Sequence, residues 1–98
     1  NFVSDVITGN GKPVRIWLNI DGLGQYTQVK VALLGEDFRE LKGYGIADCN
    51  DIENNGIRVP VSFRHNLSAE LSEGFRIKVE FSGIRPEEAK LYAVYIEQ

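Results

Sequence analysis

Methionine is absent from this sequence, and cysteine, histidine and tryptophan occur once each. A lone Cys49 excludes an internal disulfide and a cysteine-rich zinc site, and says nothing about redox compartment. A lone His65 leaves Cys49–His65 as the only cysteine–histidine pair from which a nucleophile could be built. Without methionine the natural translation start is missing, so the chain is expected to be one domain, residues 1–98, excised from a larger protein or left by processing. Any leader would have gone with that start, and the compartment stays unknown. No apolar run approaches the ~20 residues of a spanning helix, so no membrane partner is expected. Eleven Lys and Arg are scattered among fourteen Asp and Glu, for a net charge of −3. That distribution lacks the basic stripe that binds a phosphate backbone, and no nucleic-acid partner is expected. No segment sustains a 3.6-residue period, and nothing repeats internally.

What the sequence does have is alternation. "VRIWLNI" sets Val14, Ile16, Leu18 and Ile20 on one face and Arg15, Trp17 and Asn19 on the other. "VKVALL" sets Val29, Val31 and Leu33 against Lys30 and Ala32. "IRVPVSF" aligns Ile57, Val59, Val61 and Phe63, and "FRIKVEF" aligns Phe75, Ile77, Val79 and Phe81. These runs predict half-buried antiparallel strands. "KLYAVYI" is apolar on both faces, which predicts a strand covered on both sides. Between them, "TGNGKP", "DGLGQ", "NNG" and "SGIRPEE" carry turn residues. Pro60 has no ladder donor, so its strand belongs at an edge or turns that nitrogen outward. "NLSAELSEG" reads as a single helical turn capped by Asn66 or Ser68 and closed by Gly74. The expected fold is all-β: a two-layer antiparallel β-sandwich, jelly-roll-like. Its expected core is Val14, Ile16, Leu18, Val29, Val31, Leu33, Ile57, Val59, Val61, Phe75, Ile77, Val79 and Phe81.

The densest polar stretch is "GYGIADCNDIENNG", residues 43 to 56. Asp48, Asn50, Asp51 and Glu53 offer oxygens that suit a hard cation, but their spacing fails the calcium-loop pattern. Asp and Asn also organise turns through their own backbone, and no metal is assigned. Cys49 reads as a small buried hydrophobe. No pair of acids is set out for glycoside hydrolysis, and "DGLGQY" is a strand-to-strand turn with no helix behind it to hold a phosphate. No catalytic residue and no cofactor is assigned. The aromatics remain: an outward Trp17, with Tyr26 and Tyr44 from loops, can stack on a sugar ring or pack against a neighbouring domain.

The order "VKVALLGEDFRELKGYGIADCNDI", "IRVPVSF", "LSEGFRIKVEFSG", "AKLYAVYI" resembles the C-terminal β-sandwich module of glycosidase-like proteins built on a β-propeller, of the invertase/fructanase and related types. The resemblance runs through Leu41, Gly43 and Tyr44, the Asp48–Cys49 pair, Arg58 at a strand start, the turn Leu67, Ser68, Leu71 and Gly74, and Ala89, Leu91, Tyr92 and Ala93. That family often has Trp where this chain has Phe63, which would weaken a surface platform there, and its catalytic carboxylates lie on the propeller. The resemblance implies a non-catalytic accessory domain that braces the catalytic domain of its parent protein, with oligosaccharide as a further partner. It also makes residues 43–56 a connection between sheets, with Tyr44 and Cys49 as packing residues, Asp48 in a turn or bonded to Arg58, and Asn54, Asn55 and Gly56 turning into the next strand. Three rivals remain open: a carbohydrate-binding module using Trp17, Tyr26 and Tyr44, a protein–protein interaction domain using a sheet face or a free edge, and, third, an enzyme, which an exposed Cys49 beside His65 would revive.

Overall fold

The computed structural model describes residues 2–24, 27–52, 54–64, 69–70, 73–83 and 89–98. The strands are β1 (Phe2–Val3), β2 (Pro13–Asp21), β3 (Thr27–Gly35), β4 (Gly56–Val61), β5 (Ala69–Glu70), β6 (Phe75–Gly83) and β7 (Lys90–Glu97). They form two antiparallel sheets. In one, β6 lies between β1 and β3. In the other, β2 pairs with β4 along one edge and β7 along the other, and its first residues pair with β5. The β2–β7 pair encloses the β3–β6 pair in sequence, the nested arrangement of a rolled-up ribbon, so the expected two-layer β-sandwich is what the chain forms.

The alternating faces meet between the layers. Val14, Ile16, Leu18 and Ile20 from β2 and Val59 and Val61 from β4 face Val29, Val31, Leu33, Phe75, Ile77 and Val79 from the opposite sheet. Burying aliphatic side chains at roughly 1.5–3 kcal/mol each is the main stabilising term in a domain this small. β3 and β4 both depart from strict alternation. On β3, Ala32 and Leu34 are buried as well, because residues 39–44 fold back along the free side of that strand. There Gly35 N–H donates to Arg39 O at 2.8 Å, Leu41 N–H to Leu33 O at 2.9 Å and Leu33 N–H to Tyr44 O at 2.8 Å. The turn that starts this return holds Phe38 at φ 69°, a conformation costly for a bulky side chain. The Arg76 guanidinium lies 4.0 Å from its ring centroid.

On β4 the alternation breaks. Val59 faces Leu18 and Gly56 faces Ile20, so Ile57 and Arg58 together oppose Asn19. This β-bulge turns Ile57 outward, to 75% exposure, and removes it from the core expected of it. Phe81, also expected in the core, is only half-buried against it. Phe63, Cys49, Ile52 and Ile20 are buried in addition.

Two further expectations are corrected. β7 is not covered on both sides: it is an edge strand that exposes Tyr92, Tyr95 and Ile96, because β2 flanks it on one side and only Leu91 and Val94 reach the core. The expected helical turn over "NLSAELSEG" does not hold at Ala69–Glu70, which pair with Pro13–Val14 as a strand. Residues 66–68, 71 and 72 of that turn lie outside the described residues. Pro60 sits where its missing donor is harmless, on the edge strand β4 opposite Trp17.

Candidate functional site

Trp17 stands at the middle of β2. Its neighbours along β2, Ile16 and Leu18, are buried, so period two sends the indole to the outer face of the β4–β2–β7 sheet. Register then decides its company: Pro60 stands opposite on β4 and Tyr95 opposite on β7. β4 contributes two more side chains, Arg58 by its parity next to inward Val59 and Ile57 through the bulge. With Ile57 and Arg58 both turned outward, the Arg58 guanidinium carbon comes to 4.2 Å from the Trp17 ring centroid. Arg58 Nη2 also lies 3.8 Å from Glu97 Oε2. Together Trp17, Ile57, Arg58, Tyr95, Ile96 and Glu97 line a shallow groove of about 440 Å³.

This groove is mostly apolar, with one cation and one anion set against each other at its rim. Trp17 is half-buried, and the guanidinium occupies one place a flat ligand would use to stack on the indole. Guanidinium–indole stacking of this kind contributes ~0.5–1 kcal/mol at an exposed site. The stack covers part of the indole and leaves Ile57 and Tyr95, the latter 42% exposed, as the protruding apolar surface.

The other expected ligand-binding residues are not gathered here. Tyr44 lies in the β3–β4 connection, half-buried against the core, with its ring edge-on to Phe63 at 5.1 Å between centroids. Phe63 is itself buried, so its position in the chain is a core position and not a surface platform. Tyr26 lies outside the described residues. Tyr95, Ile57 and Arg58 escaped sequence reasoning as a group: Ile57 reaches this face through the bulge, while Arg58, outward by its parity, and Tyr95 are brought beside Trp17 by strand order.

The polar stretch 43–56 resolves into a structural connection. Residues Ile46–Asp48 form a single 3-10 turn. Its leading amides are satisfied by two carboxylates, Gly45 N–H donating to Asp48 Oδ2 at 3.1 Å and Ile46 N–H to Glu40 Oε2 at 2.9 Å. Asp48 therefore serves the turn, while the side chain of Arg58 is engaged with Trp17 and Glu97. Cys49 is 3% exposed, accepts from Val31 N–H at 3.4 Å and donates to Asn50 O at 3.4 Å. Burial pushes its thiol above the ordinary value, the opposite of what a nucleophile needs. His65, the partner such a nucleophile would require, lies outside the described residues.

Asn50 Nδ2 donates to Ser62 Oγ at 2.8 Å, and Asp51 Oδ1 accepts from Lys30 Nζ at 2.7 Å. The Lys30 ammonium holds the Asp51 carboxyl below the usual carboxylate range. Among the described residues, no three His, Cys, Asp or Glu side chains converge as a metal site. Asn55 closes the connection, accepting from Leu23 N–H at 2.9 Å and donating to Leu23 O at 3.2 Å. A second, more polar cleft of about 290 Å³ lies beside this segment, lined by residues that include Leu23, Thr27, Lys30, Asp51 and Ile52.

A scan against protein-family models and searches of the curated proteins and of the solved structures found no match to this chain.

Proposed function

We propose that this chain is a non-catalytic accessory β-sandwich that braces the catalytic domain of a carbohydrate-active, glycosidase-like protein, docking through the outer face of its β4–β2–β7 sheet. The observation that carries the reading is the groove around Trp17, where exposed Ile57 and Tyr95 flank an indole already stacked by Arg58. An apolar centre with Trp, Tyr and Arg at a charged rim is the composition of a protein-binding surface. The carbohydrate context comes from the resemblance of residues 14–96 to propeller-associated modules, and no reaction is assigned to the chain.

A second reading is favoured by one feature, the cross-strand pair of Trp17 and Tyr95 on a single face. Two neighbouring aromatics suit a sugar-binding platform if Arg58 swings away. Titrating the labelled chain with soluble oligosaccharides, while following the Trp17 indole resonance, separates the two. Bracing predicts a silent panel, and localised shifts at Trp17 and Tyr95 would replace it with sugar binding. The complementary measurement is made in the propeller-bearing parent. Ile57→Asp should lower the melting temperature of the catalytic unit while leaving that of the isolated chain nearly unchanged. An unaltered parent would refute docking through this face.

A further inference from the structure

A sandwich of two open sheets has strand edges to protect, since an unpaired ladder recruits other strands. Among the described residues, four edges are guarded. The outer side of β3 is bonded to the returning segment 39–44. β4 carries Pro60 and a bulge. β1 and β5 are each two residues long. The remaining edge is β7, eight residues from Lys90 to Glu97 without proline and paired, among the described residues, only with β2.

The register of β7 on β2 shows which way its side chains point. Asn19 faces Ala93 and Ile20 faces Leu91, so Tyr92 is an extra, bulged residue, exposed by 61%. By register Leu91, Val94 and Ile96 lie opposite the buried Ile20, Leu18 and Ile16; Leu91 and Val94 pack on the core, while Ile96 sits at the margin of the sheet, exposed and touching the groove. Lys90, Ala93, Tyr95 and Glu97 lie opposite Asp21, Asn19, Trp17 and Arg15 on the outer face, where the bulge also puts Tyr92. This order is self-complementary when the strand is reversed. A copy turned about an axis through Val94 sets Tyr95 against the Tyr92–Ala93 bulge, Ile96 against Leu91 and Glu97 against Lys90, every facing set lying on one side of the sheet.

We propose that β7 is a dimerisation edge, through which two copies of this chain pair antiparallel about Val94 into one continuous sheet. Charge complementarity selects a second copy as the occupant. Across the joined sheet the outer-face row reads Arg15, Glu97, then Lys90 and Asp21 of the second copy, alternating in sign at each step, and symmetry repeats the row. Opposite charges directly across a ladder stabilise it, and like charges oppose it. The contact is isologous and closes on itself, so it ends at a dimer and does not propagate. It uses the strand edge and does not depend on the docking role of the face around Trp17.

The test uses Lys90→Glu and Glu97→Lys, both at exposed positions, with thermal melts to verify folding. Sedimentation equilibrium of the unmodified chain should show a concentration-dependent dimer. Lys90→Glu faces acid with acid at both ends of the interface and Glu97→Lys faces base with base, so each alone should weaken dimerisation by roughly tenfold or more. An equimolar mixture of the two variants should dimerise again, because every facing pair in the mixed species is opposite in charge. A chain that stays monomeric to several hundred micromolar would overturn the proposal. So would a dimer indifferent to both substitutions, or a mixture no tighter than its components.

Discussion

The bulge in β4 can be tested by comparing two neighbours that simple alternation treats as equals. Ile57 and Val59 are two residues apart in "IRVPVSF", and an unbroken strand would bury both. The structure leaves Ile57 75% exposed and Val59 8% exposed. With full burial of such a side chain contributing about 1.5–3 kcal/mol, the quarter of Ile57 that is covered corresponds to roughly 0.4–0.8 kcal/mol. Ile57→Ala should therefore cost less than about 1 kcal/mol, strand propensity included. Val59→Ala withdraws two methyl carbons at ~0.8 kcal/mol each and leaves part of their volume empty, for a total of roughly 2–3 kcal/mol. Urea unfolding followed by far-UV circular dichroism resolves this difference at constant m-value. In thermal melts, at about 4–8 °C per kcal/mol for a domain of this size, Val59→Ala should fall by roughly 10–20 °C and Ile57→Ala by at most a few degrees. Equal losses for the two variants would refute the bulge, and with it the outward placement of Ile57 beside Trp17.

Three further outcomes follow from the connection between the sheets. Cys49 should react with a thiol reagent in the native state only as fast as the domain opens, and immediate labelling would contradict its burial; Cys49→Ser should cost about 1–2 kcal/mol, since a hydroxyl replaces a well-packed sulfur. Asp51 has a depressed pKa because Lys30 bonds its carboxylate, so its contribution is complete above the unfolded value near about 3.9 and is lost as pH falls through the lower folded value. Asp51→Asn should accordingly flatten the fall in urea midpoint below about pH 4, and an unchanged acid limb would show that the pair contributes nothing. Removing both Asn55 bonds to Leu23 with Asn55→Ala should lower stability by about 1 kcal/mol, with faster amide exchange at Leu23 as the local signature.

Much of the architecture is legible in particular residues. The β2 run from Val14 to Ile20 and the β6 run from Phe75 to Val79 read correctly because each has one face on the core and one toward solvent, which writes the pleat directly into composition. β3 was only half legible: Ala32 and Leu34 lie on the face that alternation assigns to water, and they are buried by a return segment that no local pattern announces. β7 misled in the opposite sense. Its apolar residues suggest cover on both sides, yet Tyr92 and Tyr95 are exposed at an edge. Of the expected aromatic set, Trp17 is on the outer face as its parity requires. Tyr44 packs on Phe63, a contact between residues 19 positions apart in sequence that only folding creates.

By itself, then, the sequence determined the class of fold, most of the core and the outward direction of Trp17, while the burial of Cys49 came only with the structure. These follow from side-chain period and residue chemistry, which are local. Strand order, the two bulges and the return along β3 were decided only in the tertiary structure, because they depend on which strands meet and in what register. The groove belongs to this second group. Pairing with β4 and β7 assembles Trp17, Ile57, Arg58, Tyr95 and Glu97, drawn from three strands, and no one of those strands contains it.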